Sequence, residues 1–429
     1  MSSHHGPSLP VSQNGSKRDG DDDGIHPDLL VQALDTEEAD PYEMYQFCEG
    51  VYRPKHYERF NATDADISRH IQAPHFAEDP TRASIHIDIL GFTLRPTSLP
   101  QQIWRAKFIV KQQTHKAHWD DYLLKRHRIP KTGSLEDRFR NLSAVHLDVV
   151  TDKQLKALTR GGIPHSYRRY MWPKLRNVSW ERHQGYMDSL LRRHTEANKE
   201  HDTTRGILDQ INLDIARTFV DNAVIRCQVI KKDIRQILVA YAFKNPEVGY
   251  CQSMTYLASI LYFVMGDRDK AFVMLSKTIS SVISEGYYKP PMQELVRDQH
   301  VLEELIRIKL PQLYRYGRRI YVEWGAVTTE WFLCMFGRTL TGECLLRTWD
   351  WIFAEGNKVI FRTALGLMQM HQTQLLKAED ILELSQVLID GAKAIYDPDE
   401  LADIVFNGIG SFSSTTVSQL RESYASIKY

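Results

Sequence analysis

The chain is poor in cysteine, has no glycine-rich phosphate loop and has no apolar run long enough to cross a bilayer. Its five cysteines, Cys48, Cys227, Cys251, Cys334 and Cys344, are odd in number and form no C-x-x-C pair. Five thiols cannot all pair with one another, and the pattern fits reduced thiols. No His/Asn pattern near Cys251 marks it as a nucleophile, so a packed thiol is expected there. Without a G-x-x-x-x-G-K-S/T loop the chain is not expected to hold a nucleoside triphosphate of its own. The longest apolar run, near Tyr256 to Met265, is about half a bilayer span. The start carries neither an apolar signal segment nor Met-Gly, and the end carries no prenylation box. Secretion, membrane spanning and lipid anchoring therefore have no support. The expected location is cytoplasmic, or peripheral on endomembranes.

What is present suits a globular protein. With 429 residues, 42% of them hydrophobic, the chain can bury one large core or two smaller ones. Its formal charge of zero hides an asymmetry. The first fifty residues hold two Lys/Arg against eleven Asp/Glu, so they carry −9 and the remaining 379 carry +9. That excess is too dilute, and too little interleaved with aromatics, to indicate nucleic acid.

Taken in order, residues 1–38 are polar and acidic, with the run Asp21-Asp22-Asp23, and are expected to be disordered. Residues 39–154 form an extension in which Ile85, Ile87 and Ile89 alternate with polar residues as a short strand would. Within it Gln101 to Arg128 reads as a helix carrying Trp104, Phe108, Trp119, Leu123 and Leu124, and Pro130 to Ser134 as a linker. His115 and His118 have no Cys or carboxylate to complete a metal set, so they are expected as a surface pair. Residues 155–375 are the main body. Gly161-Gly162 gives a turn, Pro164 suits a first helical turn, and Trp172 reads as core. Helical patterns follow over 269–285, 298–310, 328–336, 344–353 and 360–374. Residues 376–429 read as a C-terminal helical extension, amphipathic and then Ser/Thr-rich. The expected fold class is all-α.

Chemistry concentrates between Ile211 and Met254. Ile211, Ile215 and Phe219 form an apolar stripe at helical spacing. Asp214 and Arg217, at i and i+3, share a more polar side, where an exposed ion pair contributes only about 0.3–0.5 kcal/mol. Pro246 and Gly249 break the chain before Tyr250-Cys251-Gln252. An apolar face of Met254, Leu257, Ala258, Leu261 and Met265 then begins, with Gln252 turned away from it. Trp349-Asp350 sets an acid after an aromatic, and a structural role is expected for it. No nucleophile–base or metal constellation supports an active site with its own substrate.

Arg160-Gly161-Gly162-Ile163-Pro164, Trp172, the I-x-x-D-x-x-R-T pattern at Ile211 to Thr218, Tyr250-Cys251-Gln252 and Leu346-Arg347-Thr348-Trp349-Asp350 stand in the order of one family. The sequence resembles the TBC domain of Rab GTPase-activating proteins. The finer wording at Tyr287-Tyr288, Leu310-Pro311, Trp331-Phe332 and Glu355 to Arg362 resembles the growth hormone-regulated TBC protein subgroup.

The resemblance implies a catalytic activator for a Rab-family small GTPase in its GTP-bound state. Arg217 would be an arginine finger and Gln252 a glutamine finger that orients the attacking water. Asp214 would fix the Arg217 rotamer, and Thr218 and Tyr250 would support the fingers. No cofactor would belong to this chain, because GTP and Mg2+ would be held by the partner GTPase. Membrane association would be peripheral and only through that partner. The alternative is a non-catalytic Rab-binding or scaffolding module using the same surface. Three positions depart from the family pattern: Val220 where proline is usual, Ser253 where glycine is, and Thr255 where asparagine is. Ser253 is expected to add a side chain on the face the partner approaches.

Overall fold

The computed structural model describes residues 99–140, 147–180, 183–197, 205–219 and 228–425, together with Leu90, Leu142 and Asn222. The expected disorder over 1–38 and the expected strand at Ile85 to Ile89 lie outside these residues. Among the described residues every regular element is helical, as the sequence pattern predicts. Helices α1 (Leu99–His127), α2 (Leu135–Phe139) and α3 (Lys153–Arg160) lead into α4 (His165–Leu175). Then come α5 (Tyr186–Ala197), α6 (Arg205–Arg217), α7 (Gln228–Lys244), α8 (Ser253–Met265) and α9 (Arg268–Thr278). After them stand α10 (Gln293–Lys309), α11 (Pro311–Arg319), α12 (Trp324–Leu333), α13 (Gly342–Glu355), α14 (Lys358–Met370) and α15 (Gln372–Leu375). The chain closes with α16 (Ile381–Ala394), α17 (Pro398–Asp403) and α18 (Ser414–Ser423).

Local sequence sets many of these boundaries. Asp152, Asp267, Asp380 and Ser413 each accept a hydrogen bond from a backbone N–H of the helix that follows, a cap contributing about 1 kcal/mol. Ser134 caps α2 in the same way, a short helix that the linker reading of Pro130 to Ser134 did not include. Pro164 stands one residue before α4 rather than in its first turn.

Helix α8 lies at the centre. Each residue from Ser253 to Met265 is buried, so the single apolar face expected from Met254, Leu257, Ala258, Leu261 and Met265 understates it. Helices α4, α6, α7, α9 and α12 all pack on it, and a helix enclosed on all sides needs no polar stripe. Helix α13 is a second buried rod, covered from Gly342 to Phe353 and packed on α3, α4, α14 and α17.

Charges inside the core join these layers. The buried Asp350 carboxylate accepts from Arg168 Nε at 3.0 Å and Nη2 at 2.9 Å, from the Ile163 N–H at 2.9 Å and from Trp172 Nε1 at 2.7 Å. Beside it His165 Nε2 lies 2.8 Å from Glu343 Oε1, and Arg160 grips Glu355 through two bonds of 2.6 and 3.0 Å. The Arg160 carbonyl receives Trp351 Nε1 at 3.0 Å. Gly162, at φ +102°, allows the Arg347 side chain to approach, since a Cβ there would overlap the guanidinium. The Trp349-Asp350 segment is thus structural, and Trp172 is fully buried.

His115 departs from the surface pair expected of it. It is half-buried, its Nε2 donating to the Gly162 carbonyl at 2.7 Å, where Trp119 Nε1 also donates at 2.9 Å. Helix α1 therefore shares the core of the later helices. At the other end Arg421 of α18 holds Asp298 of α10 through two 2.6 Å bonds.

Two tests follow from this core. Asp350→Asn leaves Arg168 buried without its counter-charge, so the unfolding free energy should drop by about 3–5 kcal/mol in urea titrations. A loss below 1 kcal/mol, the size of an exposed pair, would contradict the network. Burial alone would raise the carboxyls of Glu343 and Glu355, but His165 with Arg168 and Arg347, and Arg160 with Lys156 and Lys358, outweigh it and hold both below the usual 4.5. Folded values below unfolded ones mean stability that is present above pH 4.5 and lost as pH falls through the folded values. The urea midpoint should therefore fall on acidification below that point, and a flat profile would contradict the pairing.

Candidate functional site

The five residues singled out by sequence lie on three adjoining segments: the last turn of α6, the turn beyond it, and the loop that enters α8. Helix α6 seats itself through Ile211 and Ile215, both buried. It stops after Arg217 because Phe219 takes a left-handed conformation, φ +51°. Such a conformation is unfavourable for a residue with a Cβ, and it is held by packing. The Phe219 ring meets Tyr256 edge to face at 4.8 Å, and the Asn222 N–H bonds the Phe219 carbonyl at 2.9 Å.

Asp214 is 1% exposed, which corrects the expectation of a polar side shared with Arg217. A buried carboxylate needs partners, and Asp214 finds one far along the chain. The Tyr250 hydroxyl donates to its Oδ2 at 2.7 Å and accepts from the Thr255 hydroxyl at 2.7 Å. Its other oxygen lies 2.5 Å from Arg217 Nη2, an ion-pair contact off the line of a good hydrogen bond. The Arg217 side chain is 59% exposed and occupies the last helical turn, where free carbonyls favour a cation. Burial, with the Asp214 charge, pushes the Tyr250 hydroxyl well above the usual phenol range, so it remains a donor.

The second segment turns on Gly249, at φ +61°, after α7 ends at Lys244. Gln252 stands at the N-cap of α8 with helical dihedrals and makes no capping bond with its side chain. Among the described residues its carboxamide forms no hydrogen bond. The thiol expected to be packed at Cys251 is half-buried, 3.3 Å from the Ser253 hydroxyl.

Not every residue does what the sequence suggested. Ser253 is buried and turned toward Cys251, so it adds no side chain to an exposed face. Thr218 is buried too, its hydroxyl donating to the Asp214 carbonyl at 2.7 Å, which steadies the helix end. Thr255 takes over part of the polar work by bonding Tyr250. Asn222 was missed. Fully buried, it donates through Nδ2 to the Leu90 carbonyl at 2.6 Å, so the extension pins the turn that follows Arg217. A lone asparagine four residues past R-T was the available signal.

A depression of about 740 Å3 is lined by Asp188, Arg192, Glu196, Gln236 and Arg268, and includes none of these site residues. Among the described residues no group of three His, Cys, Asp or Glu is placed to hold a metal ion, and no helix is long and apolar enough to cross a membrane. The site is a surface, built from an exposed cation and an uncommitted amide on rigid supports.

Comparison with known proteins bears on what that surface is. The Rab-GTPase-TBC domain model matches residues 165–376. Growth hormone-regulated TBC protein 1-A of Danio rerio is 33% identical over 321 residues, which is 72% of this chain and 85% of that protein. The chain belongs to the Rab-GTPase-TBC domain family. TBC1 domain family member 2A of Rattus norvegicus is 32% identical over 302 residues, and there the match spans 70% of this chain but 32% of the longer relative. The crystal structure of the Chlamydomonas flagellar RabGAP TBC domain superposes with a TM-score of 0.61 at 24% identity, covering 76% of this chain and 100% of that one, and so shares the fold. Membership in the TBC family supports activation of Rab GTPases in general.

The Tyr250 bridge can be tested without an activity assay. Tyr250→Phe removes a hydrogen bond to a buried carboxylate, so stability should fall by about 1.5–3 kcal/mol. Thr218→Val, which removes a bond within one helix, should cost only about 0.5–1.5 kcal/mol. Equal losses in urea unfolding would mean that the bridge adds nothing special.

Proposed function

We propose that this chain accelerates GTP hydrolysis by a Rab-family GTPase by supplying two side chains in trans, Arg217 to the transferring phosphoryl group and Gln252 to the attacking water. One observation carries the reading. Tyr250, two residues before Gln252, grips the same buried Asp214 that holds Arg217, so a single carboxylate ties the two segments into one unit.

The chemistry fits the residue types. Hydrolysis spreads charge over the phosphoryl oxygens in its transition state, and an arginine delivered from outside is worth about 10³–10⁵ in rate. At 1.36 kcal/mol per decade that is roughly 4–7 kcal/mol, far beyond an exposed ion pair. A planar guanidinium can meet two oxygens at once. A carboxamide can accept from water through its oxygen while its NH2 donates to phosphate. GTP and Mg2+ come with the partner in this reading, which needs no cofactor on this chain. An uncommitted amide beside an exposed guanidinium is what the catalytic reading needs, and on that ground we prefer it to a binding module without catalysis.

The test is GTP hydrolysis by a panel of purified Rab proteins with this chain added. Arg217→Ala should lower the accelerated rate by about 10³–10⁵. Arg217→Lys should be nearly as damaging, because it keeps the charge and loses the fork. Binding to the ground-state GTPase should change less than turnover. Gln252→Ala should cost orders of magnitude, while mutation of the partner's own switch glutamine should be tolerated. A wild-type chain that accelerates no Rab would overturn the activator reading. Normal turnover by Gln252→Ala, together with failure of the wild-type chain on the glutamine-mutated partner, would leave Arg217 as the sole finger.

A further inference from the structure

We infer that the exposed face of α11 and the turn after it dock this chain directly onto an anionic lipid bilayer. The observations lie outside the site just described and do not depend on its function. Leu313 and Gly317 bury one side of α11, with Tyr314, Tyr316 and Ile320 half-buried beside them. Arg315, Arg318 and Arg319 are exposed and, at i, i+3 and i+4, share the opposite face. Among the described residues none of the three makes an ion pair. Arg319 lies over the Tyr316 ring at 4.4 Å. Arg307 and Arg421 on nearby helices are matched, to Glu304 and Asp298, whereas these three cations lie together on one face without a paired acid among the described residues.

The end of the helix adds a second, independent feature. The Ile320 N–H bonds the Tyr316 carbonyl at 3.2 Å and the Val322 N–H bonds the Gly317 carbonyl at 2.8 Å. This backward bond is the helix stop that normally places glycine at the residue between, in the left-handed region. Here that residue is Tyr321, at φ +56° and 88% exposed. The backbone is strained by a Cβ and the ring gains no burial in return, so nothing within the fold accounts for a tyrosine there.

A row of guanidinium groups beside a projecting phenol matches the boundary of an anionic membrane. Basic side chains are drawn to the surface charge, and tyrosine settles at the headgroup level with its ring toward the hydrocarbon and its hydroxyl in water. The Tyr316 hydroxyl donates to the Ala378 carbonyl at 2.7 Å, which brings Lys377 near this face together with the acids Glu379 and Asp380. Asp380 is occupied in capping α16, and Glu323 follows the turn. A projecting aromatic is of little use against a flexible acidic segment. The bilayer therefore fits the pair of features better. Membrane contact would then be direct, in addition to any that comes through a GTPase.

The experiment is co-sedimentation of the full chain with vesicles of phosphatidylcholine alone and of phosphatidylcholine mixed with phosphatidylserine. Binding is expected only to the mixed vesicles and should be released by salt. The combined Arg315→Gln, Arg318→Gln and Arg319→Gln variant should bind on the order of 100-fold more weakly with an unchanged circular dichroism spectrum. Tyr321→Gly should raise Tm, by relieving the helix stop, and yet weaken vesicle binding, a pair of opposite shifts that a purely structural role would not produce. The inference is overturned if the triple variant binds as wild type does, if phosphatidylcholine alone is bound equally, or if the chain captures polyglutamate but not the mixed vesicles.

Discussion

The buried carboxylate of Asp350 is the constraint on which the arrangement of the molecule depends. It receives four N–H donors, two from Arg168, one from the backbone at Ile163 and one from Trp172, and these come from a turn and a helix nearly two hundred residues earlier. An isolated charge at that depth would be prohibitively costly. The donors therefore fix where α13 can lie against α4 and leave few alternatives. Helix α4 also packs on α8, whose N-cap is Gln252. The placement of Gln252 thus traces back through two helix contacts to one buried acid.

Asp214 repeats the device on a smaller scale. Its carboxylate is buried while its partner Arg217 extends into solvent, so base and tip of the pair live in different media. An ion pair between two exposed side chains would be loose, each chain losing entropy for little Coulomb energy. Here the acid is already fixed by Tyr250, and only the arginine has freedom to lose. That arrangement holds the guanidinium near one position while leaving its outer edge free for another molecule, as preorganised electrostatic sites require. Thr255 completes it by bonding the Tyr250 hydroxyl at 2.7 Å.

The helical class was legible because it leaves a local mark, and the family because its motifs stand in order along the chain. Apolar spacing marks a helix, and Pro246 with Gly249 marks the break before Tyr250. Depth was not legible. Whether Asp214 is buried depends on a hydroxyl 36 residues away in sequence, and no local pattern shows that contact. Ser253 was expected to face the partner because it adjoins Gln252. One step along a helix turns a side chain by about 100°, and that rotation takes it inward. His115 looked like half of a surface pair, since its role is set by the Gly162 carbonyl across the core. Asn222 and Leu90 were illegible for the same reason: their bond joins segments 132 residues apart.

Several residues with side chains occupy left-handed backbone at the ends of helices, Arg128, Asn177, Phe219 and Tyr321 among them, and Phe219 and Tyr321 make an informative contrast. Phe219 ends α6 at φ +51°, and its ring packs on Tyr256, so the strain is offset inside the fold and the result is a fixed base for Arg217. Tyr321 ends α11 at φ +56° with its ring in water, so the same strain has no offset among the described residues. A glycine would serve as well or better for folding alone. Natural chains tolerate local instability chiefly where activity or recognition draws on it. The exposed Arg128 ends α1 in the same conformation, so what sets Tyr321 apart is a projecting aromatic ring beside three arginines unpaired among the described residues, while the strain at Phe219 belongs to the architecture of the site.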